Sequence, residues 1–151
     1  MMNGGGSIKF PTEARGKLAD SEKITINLGY VDLGSIDLLV SDSFYANRTD
    51  FIRTAIRNQL NHHADTTKQA IARNQLDLGI RRYSKRDLEG VKAAGEVLHI
   101  QVLGLASIAG DVSPELAVQT IASLHVLGTL DASAAVKAAL GDRIRYAPRN
   151  V

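Results

Sequence analysis

From Lys23 to Leu28 the chain reads KITINL, polar and apolar side chains in strict alternation. That period of two predicts a strand over about 22–30, with Ile24, Ile26 and Leu28 on one face and Lys23, Thr25 and Asn27 on the other. The sequence then changes to a helical period. Leu33, Ile36, Leu39, Val40 and Phe44 fall at helical spacing, with Asp32 placed to cap the helix. A turn at Phe44–Ala46 leads to Asn47, a strong N-cap residue. The next helix carries Phe51, Ile52, Ala55, Ile56 and Leu60 on one face. NHHADTTKQAIARNQL continues it as a polar connector to about residue 76.

The remainder reads as a weak internal repeat. VLG recurs at 102–104 and 126–128, and LGI at 78–80 is a degenerate third copy. After each comes a linker and a helix start: SKRDLEGVKAAG, SPELAVQTIASL and SAAVKAALGDR. Ser113-Pro114-Glu115 is the clearest, an N-cap followed by proline and a first-turn acid. Strand, loop and helix at this spacing have the rhythm of leucine-rich-type units stacking parallel strands. An ordinary small α/β domain fits the same pattern. The fold class is therefore α+β, divided as an arm at 1–20 without hydrophobic period, a strand-and-two-helix domain at 21–63, the connector at 64–76, a small α/β domain at 77–145, and a tail at 146–151.

A lone strand leaves its backbone hydrogen-bonding groups unsatisfied. The simplest partner for 22–30 is a second copy of the chain, giving a two-stranded antiparallel ribbon across a twofold axis. Its apolar row would cover the helices that follow, and its polar row would project outward. A two-stranded ribbon fits the major groove of B-DNA, where lysine, threonine and asparagine side chains read base edges.

On KITINL and NRTDFIRTAIRNQL the chain resembles the ribbon-helix-helix DNA-binding family over residues 21–63. The resemblance implies an intertwined homodimer on double-stranded DNA. It places Lys23, Thr25 and Asn27 at the groove-facing strand positions. It puts Asn47 at the helix cap whose neighbouring N–H groups hold a phosphate, with Arg48 and Thr49 as flanking polar positions. The family often has glycine two residues before the cap, where this chain has Tyr45, so the turn geometry is open.

Composition narrows the alternatives. The chain has 151 residues, 44% apolar and 23% charged, ordinary for a globular protein. It lacks cysteine, which excludes disulfides and thiolate metal sites. No apolar run approaches the roughly 18 residues of a bilayer span, and the first residues lack the apolar segment of a secretion signal. A cytoplasmic location without membrane contact is expected. Net charge is +2, but residues 69–92 carry six basic against three acidic side chains. Arg81, Arg82, Lys85 and Arg86 form the most basic window, which reads first as a solvated charged loop and only secondarily as a candidate for phosphate contact.

Competing roles are weaker. Arg53 and Arg57 fit solvated positions or pairs with Asp50 better than DNA contacts. His62 and His63 are adjacent and point to different sides of a helix. His99 and His125 fall on one face of neighbouring strands if the repeats align, a thin ligand set without carboxylate or thiolate. No metal or cofactor is expected. NGGGS lacks the lysine of a phosphate-binding loop, and no catalytic signature occurs, so an enzyme is not expected. The expected function is a sequence-specific transcriptional regulator, a repressor, with the C-terminal domain serving higher oligomers or a protein partner or ligand. Two alternatives stand beside it: an antitoxin or plasmid-partition protein of the same fold, and a self-assembling structural protein without DNA binding.

Overall fold

The computed structural model describes residues 21–146. In chain order the elements are α1 (Tyr30–Ser41), α2 (Arg48–His62), α3 (Ala64–Arg73), β1 (Asp77–Tyr83), α4 (Lys85–Ala93), β2 (Leu98–Ile108), α5 (Pro114–Thr120), β3 (Ile121–Asp131), α6 (Ala134–Leu140), a 3-10 turn (Gly141–Arg143) and β4 (Ile144–Tyr146). Contacts divide the chain into a unit over Lys23–Ala70 and another built on the residues from Ile71 onward.

The second unit carries the repeat. Its four strands lie in sequence order β1-β2-β3-β4, and every neighbouring pair is parallel. The recurring tripeptides fall into register: Leu78 opposite Leu103 opposite Leu127, and Gly79 opposite Gly104 opposite Gly128. Each intervening helix starts on a serine whose hydroxyl accepts a first-turn N–H: Ser84 from Asp87, Ser113 from Leu116 and Ser133 from Val136. The serine signals in the sequence thus mark the helix starts correctly.

One hydrophobic cluster holds this unit together. Ile100, Val102, Ala106 and Ile108 of β2 and Leu124, Val126 and Leu130 of β3 meet Leu88 of α4, Leu116 and Ala117 of α5, and Val136 and Leu140 of α6. The strand residues between them, Gln101, Leu103, Leu105 and Ser107 in β2, are half-buried on the opposite face. That alternation is why strands of a parallel sheet, usually apolar throughout, read here with a period of two. Arg143 closes the end of α5, donating to the carbonyls of Val118 and Ile121 at 2.7 and 2.9 Å. Cations suit a helix C-terminus because its last carbonyls lack partners.

The first unit differs from expectation at both ends of α1. Residues 21–29 form no strand within the chain, and all are exposed. The α1 helix starts at Tyr30 behind Gly29, so Asp32 is a first-turn acid and not the cap. The helix ends at Ser41, and the left-handed residue after it is Ser43, with φ of 65°. The turn left open by the absence of glycine at Tyr45 is thus made through Ser43, two residues earlier, and Tyr45 packs its ring edge-on against Phe51 at 5.0 Å.

Candidate nucleic-acid interface

Asn47 caps α2 as its sequence signal indicates: its side-chain oxygen accepts the Asp50 N–H at 2.8 Å. The Asp50 carboxylate reaches back to the Ala46 N–H at 2.9 Å, closing the turn from the other side. Among the described residues Asp50 forms no ion pair with Arg53 or Arg57. Arg48 and Thr49 occupy the first two helical positions. Backbone N–H groups at such positions have no partner inside the helix and suit an anion.

Arg48 is engaged elsewhere. Its guanidinium makes a two-pronged contact with Asp37 of α1, Nε to Oδ1 at 2.7 Å and a terminal nitrogen to Oδ2 at 2.8 Å. The pairing clasps the two helices across their turn. No local sequence signal exposes it, because the partners are eleven residues apart and meet only after the chain reverses. Hydrogen bonding to Arg48 holds the Asp37 carboxyl below the usual carboxylate range, and the same bonds raise the guanidinium of Arg48. A depressed carboxylate contributes stability above its unfolded value and loses it as pH falls through the folded one. The Asp37 side-chain signal in a carbon-detected NMR titration is therefore expected to move at lower pH than a free aspartate. It returns to the ordinary range in Arg48→Gln.

Lys23, Thr25 and Asn27 lie exposed in the segment that has no strand partner in its own chain. So do the apolar residues that alternate with them: Ile24 is 73% exposed and Ile26 61%. Farther along, Tyr30, Val31, Leu38, Phe44, Ile56 and Leu60 are exposed as well, and within Lys23–Ala70 only Ile36 is buried. The apolar face predicted for α2 exists, but it buries no residue.

The basic window spans an edge strand and a helix start. Arg81 and Arg82 are on β1, Lys85 and Arg86 in the first turn of α4. Arg81 approaches Asp77 at 3.8 Å. Ser84 and Asp87 make a reciprocal cap there, and hydrogen bonds from Ser84 lower the Asp87 carboxyl. On the sheet face away from the helices, His99 lies opposite Ser123 at 3.0 Å, whereas His125 lies opposite Gln101. The two imidazoles share a face, but they are offset along it. Among the described residues no group of three or more histidines and carboxylates could hold a metal ion. No helix there is long and apolar enough to cross a membrane.

The chain thus combines a helical unit that has an exposed apolar surface and a capped helix start with a strand–helix repeat. Residues 19–137 match the Ribbon-Helix-Helix transcriptional regulator family, and the chain belongs to it. The match runs through the exposed segment, both helices and most of the repeat unit. Neither the curated proteins nor the solved structures contain a match to this chain.

Proposed function

We propose that the protein is a homodimeric repressor that inserts an antiparallel ribbon, one strand from each copy at residues 23–28, into the major groove of DNA. One observation carries the reading. The unit over Lys23–Ala70 buries Ile36 alone while leaving nine large apolar side chains between Ile24 and Leu60 exposed. A unit of that size cannot stay folded on one buried side chain, and burial of each large apolar group contributes roughly 1.5–3 kcal/mol. A second copy supplies the missing half of the core, and Ile24, Ile26 and Leu28 then face inward. Lys23, Thr25 and Asn27 are left on the outer face, where they contact bases.

The phosphates flanking the groove are held at the start of α2 by Asn47, Arg48 and Thr49. Arg48 exchanges Asp37 for phosphate in the complex, or holds Asp37 while the backbone N–H groups bind. Arg81, Arg82, Lys85 and Arg86 add salt-dependent attraction without sequence preference. The repeat unit serves association between copies.

Alanine at Thr25 and Asn27 is expected to weaken binding to the specific operator by about 1–3 kcal/mol per lost base contact, with little change in non-specific affinity. Gel-shift titrations of both DNAs at one salt concentration measure this. An unchanged operator affinity removes these residues from the groove.

A further inference from the structure

Among the described residues β1 pairs with β2 alone, so its other edge is open. The orientation of that edge can be read from the glycine ladder. A Cβ built on Gly104 would lie 2.1 Å from the carbonyl oxygen of Gly79, so the carbonyl of Gly79 points toward β2. Successive residues of a strand turn their N–H and C=O to opposite sides. Leu78 and Ile80 therefore present theirs to the open edge, and both side chains are exposed, at 63% and 44%. A Cβ built on Gly79 would meet nothing within 4 Å, so its Cα also faces open space. The opposite edge of the sheet is different: β4 has only three residues, too short to template a partner.

We infer that β1 is the contact through which a second copy of this chain docks, antiparallel and centred on Gly79. Charge complementarity selects this occupant and this register, with the long 3.8 Å contact between the exposed Asp77 and Arg81 of one strand exchanged for two contacts across the axis. Asp77 and Arg81 stand two residues to either side of Gly79. An antiparallel copy about a twofold axis sets Asp77 against Arg81 twice and Leu78 against Ile80 twice. Leu78 and Ile80 then exchange backbone hydrogen bonds with their opposites. Gly79 meets its own twin in the narrow pair, where strands approach to about 4.5 Å between Cα atoms and a missing side chain costs nothing. The row Leu127, Leu103 and Leu78 of one sheet then runs on into Ile80 and Leu105 of the other, and the pairing builds higher assemblies from ribbon dimers. This gives the self-association proposed for the repeat unit a surface, and it stands whether or not the ribbon binds DNA.

The test uses the full chain, which has no cysteine of its own. In the variant Asp77→Cys/Arg81→Cys the new thiols lie opposite each other only in this register, and within one chain they are too far apart to join. Mild oxidation followed by non-reducing electrophoresis is expected to give a covalent dimer. That band is expected to be lost when Leu78→Lys and Ile80→Lys are added, with the far-ultraviolet circular dichroism of the chain unchanged because both positions are exposed within it. Monomer after oxidation overturns the pairing, and so does a dimer formed instead by the one-residue-slipped control Asp77→Cys/Arg82→Cys. An operator gel shift on the same variant separates the two readings. A retained shift without cross-link overturns the edge contact alone, and a cross-link without shift overturns only the ribbon.

Discussion

Gly104→Ala and Gly128→Ala are expected to unfold the repeat unit or bring it close to unfolding. Both glycines sit at positive φ, 138° and 123°, where an L side chain is strained by about 1–3 kcal/mol. The added Cβ would also fall 2.1 Å from a backbone carbonyl oxygen of the neighbouring strand, Gly79 for Gly104 and Gly104 for Gly128. A carbonyl locked in a sheet ladder cannot swing aside as a flexible side chain could. The strands must separate, and the pairing that holds β1, β2 and β3 in register goes with them. A loss of at least about 4 kcal/mol, in the exceptional tail for point substitutions, follows for each. Gly79→Ala is the control. It has positive φ too, but open space beyond it within its own chain, so its cost to the folding of that chain stays near the strain alone. Denaturant unfolding of the three variants, followed by circular dichroism, ranks them. Equal losses at all three positions would remove the close approach as the cause.

The second large effect belongs to the proposed ribbon. Ile26→Lys puts a charge where two copies are expected to bury isoleucine, and each dimer carries the change twice. At roughly 1.5–3 kcal/mol per buried side chain, the dimer loses about 3–6 kcal/mol, a weakening of about two to four orders of magnitude in dissociation constant. The wild-type chain is expected to show a melting midpoint that rises with protein concentration, as it must where folding and association are one event. The variant is expected to lose that dependence for the transition of residues 23–70. Sedimentation equilibrium gives the mass directly, and an Ile26→Lys chain that sediments like wild type would end the ribbon proposal.

Much of this was legible because the deciding signals are local. Each of Ser84, Ser113 and Ser133 announces a helix through a bond spanning three residues, and Asn47 does the same. The tripeptides around Gly79, Gly104 and Gly128 betrayed the repeat because parallel strands in sequence order place equivalent residues side by side. The start of α1 was misplaced because Asp32 is a good cap by type, whereas Gly29 ends the preceding segment with no side chain to advertise it. The left-handed turn at Ser43 was hidden for a similar reason: the residue is not glycine, and the strained position shows only in φ. The clasp between Arg48 and Asp37 depends on the angle between two helices, which no spacing rule supplies. The candidate base-reading residues rest on alternation in KITINL and on the family resemblance, because an isolated chain gives that segment nothing to pair with.

The sheet in which every strand lies beside its predecessor has a kinetic corollary. Contacts close loops of roughly one strand–helix step, so the entropy lost on forming each is small and nearly the same from step to step. Such a unit zips from whichever step forms first, and its rate is set by that step more than by total length. A chain carrying one duplicated strand–helix step is therefore expected to fold about as quickly as the original.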